Sequence, residues 1–258
     1  MLSGSGISFK AGNKFLLEET TVNFLPGMFH VVMGANGAGK STLLKILAGN
    51  QKPASGYVFL EGKDLNAFSK KLLAQKRAVL SQQYQITFPI LVSDMVMMGR
   101  YPYYVQNPSK EDKEICNLAL QTMQVQDLQE RDYNSLSGGE AQKVQMSRVL
   151  AQVGTTNESS KKILFLDEPV SHLDLRYQHQ LLQVAKELTQ KHVTVIAVLH
   201  DINLALSFAD RILFMKKGAI THDVSHPYDV DSAIIREVFD IDSKVILVGE
   251  KAKPVIVF

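Results

Sequence analysis

The segment VVMGANGAGKSTLL, Val31–Leu44, constrains this chain more than any other feature. Three glycines, a lysine and two hydroxyls sit between two apolar runs, and GANGAGKS fits the spacing Gly-x-x-x-x-Gly-Lys-Ser. The apolar run MFHVVM (Met28–Met33) before it reads as a strand, and a helix is expected from about Lys40 to Leu47. A glycine loop that follows a strand and opens a helix lets backbone N–H groups turn inward around an anion, and the helix dipole favours that charge. Gly34, Gly37 and Gly39 supply the turns, and Asn36 and Ala38 complete the loop. Lys40 would reach β- and γ-phosphates, Ser41 would bind Mg²⁺, and Thr42 would contact an α-phosphate oxygen. The bland alternative is a glycine turn of no function, which does not explain a lysine and a serine in register.

The rest of the chain agrees with a phosphate loop in an α/β frame. KILFLDEP (Lys162–Pro169) and VTVIAVLH (Val193–His200) read as strands buried on both faces, and LRYQHQLLQVAKELTQK (Leu175–Lys191) has helical spacing. Fully apolar strands alternating with helices argue for a mainly parallel sheet covered on both sides. The residues before Met33 alternate in a way that suggests a small antiparallel layer, as does GYVFLEG (Gly56–Gly62). RILFMKKGAIT (Arg211–Thr221) reads as a hairpin with its turn at Lys217-Gly218. From Tyr84 to about Asn134 the pattern becomes helical, which suggests an inserted helical subdomain over about 84–150 within a single domain, 1–258. GTTNESSKK (Gly154–Lys162) is the expected loop of low order.

With a net charge of +2 the chain has no strong pull toward nucleic acid. Its single cysteine, Cys116, cannot form an internal disulfide and is expected as a small buried hydrophobe. The N-terminus has no basic stretch followed by an apolar core, so no secretion signal is expected. No run approaches the roughly 20 apolar residues of a membrane span, so any membrane role is expected to come through a partner.

A phosphate loop needs an acidic residue at the end of a second strand. In ILFLDEP the apolar residues bury the strand and place Asp167 at its tip, where it can hold Mg²⁺ through water. Glu168 follows, placed to polarise an attacking water as general base. Alone, an Asp-Glu pair is weak evidence, since most are solvated; here it ends an apolar strand downstream of a phosphate loop. The chain is expected to bind a nucleoside triphosphate and to hydrolyse it. A second anion-binding device is expected at Ser137-Gly138-Gly139, before the helical run that carries Val144, Met146, Val149 and Leu150. Either both devices close on one nucleotide, or each faces a nucleotide held by a second copy. Taken alone, Ser137 is better read as a helix cap.

GANGAGKST, LSGGE (Leu136–Glu140), ILFLDEP, SHLD (Ser171–Asp174) and VLHD (Val198–Asp201) occur in the order found in ATP-binding subunits of ABC transporters, and the chain resembles that family over nearly its whole length. The resemblance implies a head-to-tail dimer with two ATP molecules between the phosphate loop of one copy and LSGGE of the other. Ser137, Gly138, Gly139 and Glu140 would then serve the partner's ATP, with Asp174 in a loop crossing the interface. His200 would be the switch histidine that contacts the γ-phosphate and positions water; a histidine that merely ends a strand is the alternative, and the other histidines are left as surface or packing residues. The family's glutamine that ligates Mg²⁺ and senses a partner should end RAVLSQQ (Arg77–Gln83). Gln82 and Gln83 both stand there, and the spacing to Pro89 favours Gln82. The adenine-stacking aromatic is replaced by Ala11. Phe9 and Phe15 are near, although alternation would make them core residues.

Within the family, RAVLSQQ, VSDMVMMGRYPY, SLSGGEAQKVQMSRVLAQ and LDEPVSHLDLRYQ resemble ATPases of importers for iron or cobalt chelates, most of all those of bacterial haem (hemin) importers. Siderophore and cobalamin importers are the runner-up. That resemblance implies two integral-membrane permease subunits, an indirect link to a periplasmic binding protein, no nucleic acid, and a peripheral position on the cytoplasmic face of the bacterial inner membrane. Residues Tyr84–Tyr104 are where the permease would dock. Met95, Met97, Met98 and YPYY would suit an adaptable apolar groove there, or equally the subdomain's own core.

Overall fold

The computed structural model describes residues 1–81, 86–154, 161–171, 173–247 and 254–258. In chain order the elements are β1 (Leu2–Ala11), β2 (Lys14–Phe24), β3 (Phe29–Gly34), α1 (Lys40–Leu47), β4 (Ser55–Leu60), β5 (Lys63–Asp64), α2 (Lys70–Lys76), β6 (Arg77–Leu80), α3 (Val92–Met97), α4 (Lys110–Thr122), α5 (Gly138–Val153), β7 (Ile163–Asp167), α6 (Leu175–Gln190), β8 (Thr194–Val198), α7 (Ile202–Phe208), β9 (Arg211–Lys216), β10 (Ala219–Val224), α8 (Ser232–Phe239), β11 (Lys244–Leu247) and β12 (Pro254–Val257). They fall into two compact units, residues 1–68 with 194–258, and residues 69–193.

In the first unit, β3 pairs in parallel with β8 on one side and β9 on the other, and β10 closes that edge antiparallel to β9. Every residue of β3 and β8 is buried, which is why both read as continuous apolar runs rather than as alternation. A second, antiparallel sheet runs β2-β1-β4-β5. β4 and the end of β2 alternate, as strands covered on one face do, while register shifts interrupt the alternation along β1. The β9–β10 turn is Lys217-Gly218, both at positive φ, the geometry that two-residue hairpins need to match strand twist. Arg211 ties the layers together. It makes a paired ion bridge with Asp223 and donates to the carbonyl of Asn23 on β2.

In the second unit, β6 and β7 pair in parallel, Leu80 opposite Leu166, beside the helices α2 to α6. Residues 92–153 are helical in α3, α4 and α5, as the change of pattern after Tyr84 predicts. α4 and α5 both start with capping boxes, Ser109 with Asp112 and Ser137 with Glu140, so each satisfies two of its unpaired N–H groups through its own side chains. Met95 is fully buried, while Met97 and Met98 are half-buried. Cys116 is buried as expected, and burial pushes its thiol up to about 11.

The fold is that of a P-loop NTPase: parallel pairing in β3–β8, β3–β9 and β6–β7, a small antiparallel sheet, and an inserted run of helices. Among the described residues no helix is long and apolar enough to cross a membrane. Gln82, Gln83, His172 and most of the expected loop Gly154–Lys162 lie outside the described residues.

Candidate functional site

Because β3 and β8 are parallel neighbours, the segments after them leave from the same end of the sheet. Val32 faces Val198, and the N–H of Leu199 extends the ladder to the Val32 carbonyl at 3.4 Å. The loop Gly34–Gly39 and His200 are therefore presented on one edge of the first unit, the end where ligands bind in open α/β sheets. His200 is exposed. The next residue, Asp201, N-caps α7, its Oδ1 accepting from the N–H groups of Asn203 (2.7 Å) and Leu204 (3.1 Å).

The loop itself is pinned from behind. A Cβ on Gly34 would lie 2.1 Å from the Met215 carbonyl oxygen, and one on Gly39 2.4 Å from that of Leu16. Gly39 also has φ +100°, a left-handed conformation open to glycine at little cost. The β9–β10 turn braces the loop through Gly218, whose N–H donates to the Ala38 carbonyl at 3.0 Å. Gly39 offers no side-chain cap, and α1 begins with no acidic residue in its first turn. Its positive end is thus left without a side-chain anion of its own. Lys40 is buried, and its Nζ donates to the carbonyls of Gly34 (2.8 Å) and Ala35 (3.0 Å). Asn36 and Gly37 are exposed on the loop crest, Ala38 is buried beneath it, and Ser41 and Thr42 are half-buried on the first turn of α1. The Lys40 ammonium and the open N-terminal end of α1 suit a polyphosphate. Ser41 and Asp167 are hard-oxygen groups of the kind Mg²⁺ takes.

Asp167 and Glu168 belong to the second unit. Asp167 ends β7, as expected, and is itself buried. Glu168 has φ +51°, an uncommon conformation for a side-chain-bearing residue and one that turns the chain sharply away from the strand. The turn is held by α5, where Gln142 Nε2 donates to the Pro169 carbonyl at 2.8 Å.

Ser137 caps α5, which is the reading its sequence favoured when taken alone. Its hydroxyl donates to Glu140 Oε2 at 2.7 Å, and its own N–H donates to the same oxygen at 2.8 Å. These hydrogen bonds hold the Glu140 carboxyl below the ordinary range, with Arg131 3.6 Å away adding to the effect. Gly138 is exposed and Gly139 half-buried beside them. Asp174 is exposed and caps α6, accepting from the Tyr177 N–H at 3.0 Å.

Ala11 is exposed in the β1–β2 turn. The expectation that Phe9 and Phe15 are core residues is corrected. Phe9 is half-buried, and Phe15 is 38% exposed with Lys10 Nζ 4.1 Å above its ring. The cause is a register shift between Phe9 and Lys10 that breaks the alternation. Within YPYY, Tyr103 is half-buried. Its hydroxyl is turned inward onto the Gln152 carbonyl at 2.7 Å, while Phe88, Leu91 and Tyr101 stay exposed. A cavity of about 600 Å³ beside His200, walled by Asn203, Ile235, Phe239, Ile241 and Phe258, has no counterpart in any sequence motif. Its walls come from segments far apart in the chain, which no local pattern joins.

The family model for the ABC transporter matches residues 17–171. The chain is 42% identical over 220 residues to the hemin import ATP-binding protein HmuV of Gloeobacter violaceus, covering 85% of this chain and 80% of that one. It is 39% identical to the protein of the same name from Hahella chejuensis, over 95% of both. Among solved structures, an inward-facing ABC transporter of the metal-chelate type superposes with a TM-score of 0.81 over 99% of this chain and 96% of that one, at 24% identity. A dimeric ATP-binding cassette in a post-hydrolysis state, bound to ADP and Pi, superposes with a TM-score of 0.75 over 87% of this chain and 98% of that one, at 26% identity.

Proposed function

We propose that this chain, which belongs to the ABC transporter family as one of its ATPase subunits, drives import of haem (hemin) through a separate membrane permease in a bacterium. The observation that carries the cargo is the near end-to-end identity with relatives named for hemin import. The pinned loop around Lys40 supports the motor.

In this reading the whole chain, 1–258, works as one ATPase domain with a helical subdomain at about 84–150. Two copies meet head to tail, as in the dimeric cassette it resembles. The loop residues Gly34, Asn36, Gly37, Ala38, Gly39, Lys40, Ser41 and Thr42 hold the phosphates of ATP. Mg²⁺ held by Ser41, Asp167 and Gln82 would neutralise charge on the β- and γ-phosphate oxygens. Glu168 takes a proton from the attacking water, and His200 orients that water against the γ-phosphate. Ser137, Gly138, Gly139 and Glu140 face the nucleotide of the other copy, Ser137 exchanging its bond to Glu140 for a phosphate oxygen. Asp174 lines the interface between copies.

The exposed Phe88, Leu91 and Tyr101 give the permease an apolar landing place. The protein then sits on the cytoplasmic face of the inner membrane and meets a periplasmic binding protein only through the permease. Growth of a deletion strain on haem, on a ferric siderophore or on free iron as sole iron source tests the cargo. A defect confined to haem supports this reading. Normal growth on haem with loss of siderophore or cobalamin use moves the cargo to those chelates and keeps the motor.

A further inference from the structure

The last carbonyls of a helix find no partner within it. At the C-terminal end of α5 three consecutive ones are met by side chains from other segments. Arg100 Nη1 donates to the Ala151 carbonyl at 2.9 Å, the Tyr103 hydroxyl to that of Gln152 at 2.7 Å, and Lys162 Nζ to that of Val153. The three donors also hold one another. Lys162 Nζ donates to the Tyr103 oxygen at 3.2 Å, and the Arg100 guanidinium lies 3.9 Å from the centre of the Tyr103 ring. Arg100 is fixed in turn by Asp112, at 2.8 Å with both side chains buried. Burial raises the Tyr103 phenol and pushes the Lys162 ammonium down to about 8. Away from bulk water such bonds hold position more firmly than surface contacts do.

The same cluster reaches the start of β6. Gln152 Nε2 donates to the carbonyls of Ala74 (2.9 Å) and Arg77 (3.0 Å), and Gln75 Nε2 donates to that of Pro102 (2.8 Å). Gly99 lies so close to α5 that a Cβ there would stand 2.2 Å from the Arg148 carbonyl oxygen. The segment from Met98 to Tyr104 is therefore bolted to one end of α5, and Ser137-Gly138-Gly139 stands at the other. α5 has 16 residues, a rod of about 24 Å. On its way it holds the turn after Glu168 through Gln142.

We propose that Tyr103 is a positioning residue which, with Arg100 and Lys162, locks the Met98–Tyr104 segment to the C-terminal end of α5, so that a push on that segment by a membrane partner is delivered along α5 to Ser137–Gly139. This rests on the reading of the chain as a transport ATPase. Tyr103 touches no reacting atom, and its effect is on the response to the partner. A purely structural cap would instead lower stability and all activities together.

The test compares wild type, Tyr103→Phe and Arg100→Lys, each purified alone and each with the membrane subunit that co-purifies with the tagged chain in detergent. Tyr103→Phe keeps the ring under Arg100 and removes only the hydroxyl; Arg100→Lys keeps the charge facing Asp112 and loses the reach to Ala151. For each variant alone, ATP turnover is expected within about twofold of wild type, while the stimulation by the membrane subunit falls about tenfold or more. Stimulation equal to that of wild type, or a parallel fall with and without the membrane subunit, overturns the proposal. Should Tyr103→Phe not fold, Arg100→Lys decides by the same criteria. A wild-type chain that captures no membrane subunit, or is not stimulated by one, overturns the transport reading and this proposal with it.

Discussion

The ammonium of Lys40 lies 2.8 Å from the carbonyl oxygen of Gly34, the first residue of its own loop. A buried lysine needs an acceptor, and the loop supplies two, Gly34 and Ala35. The side chain is thus held against its own loop. Binding of a polyphosphate exchanges a neutral acceptor for a charged one, which makes a stronger bond. Lys40→Ala is expected to lower nucleotide affinity by about tenfold to a hundredfold, the value of one charge-assisted hydrogen bond or slightly more. Titration calorimetry with ATP measures it; wild-type affinity in the variant would refute the assignment of the loop.

Glu168 comes just after the buried Asp167, at a φ of +51°. Glu168→Gln preserves size and hydrogen bonding but removes the proposed base, so turnover should fall by about 10²–10⁴-fold with ATP binding intact. The nucleotide then persists and holds two copies together. Gel filtration with ATP should show a dimer for the variant at concentrations where wild type elutes smaller. A monomer at every concentration would count against the two-copy arrangement.

His30 provides a pH prediction away from the site. It is fully buried in β3, its Nε2 bonded to the Leu25 carbonyl at 3.0 Å and its ring edge-on to Phe24, and its Nδ1 has no partner among the described residues. Burial lowers its pKa to about 4; the Leu25 hydrogen bond opposes this, Arg211 adds to it, and Asp210 and Asp223 oppose it more weakly. The folded state therefore resists a proton that the unfolded chain accepts near pH 6.5. Stability is complete above that value and is lost as pH falls toward 4, by about 3 kcal/mol at most. Urea unfolding between pH 7 and 4.5 should show a shallower acid loss in His30→Gln than in wild type. Parallel curves for the two would refute it.

How much was legible varies with the range of the interactions. The helix Lys40–Leu47, the buried strand ending in Asp167 and the Lys217-Gly218 turn were all readable, because each is set by neighbours in sequence: a glycine loop, an unbroken apolar run, a pair of residues at positive φ. The capping role of Ser137 was readable for the same reason, with Glu140 three residues on. The bolt around Tyr103 was not, since its partners Gln75 and Gln152 are 28 and 49 residues away. The clasp of Asn203 on both backbone groups of Ile256, 53 residues on, is of the same kind. Such pairs leave no periodic trace, and polar residues that meet at long range look like ordinary surface. Phe15 shows a third case, where the period is right and one register shift changes which face a side chain takes.

That shift leads to the last prediction. Phe15 keeps an open face with Lys10 beside it, and the next residue, Leu16, puts its carbonyl against Gly39 of the phosphate loop. An aromatic ring so near the loop is placed to stack on a base, in place of the aromatic absent at Ala11. Stacking of a base on an aromatic side chain is worth about 1–3 kcal/mol, and a ring at the surface falls toward the lower end. Phe15→Ala should weaken ATP about fivefold, roughly 1 kcal/mol. Because stacking accepts any purine, GTP should weaken in parallel and the ATP/GTP ratio should change little. Competition binding with both nucleotides, on wild type and variant, measures the two effects at once. A strong preference for ATP that is the same in Phe15→Ala, with no loss of affinity, would remove Phe15 from the site and leave base recognition to another residue.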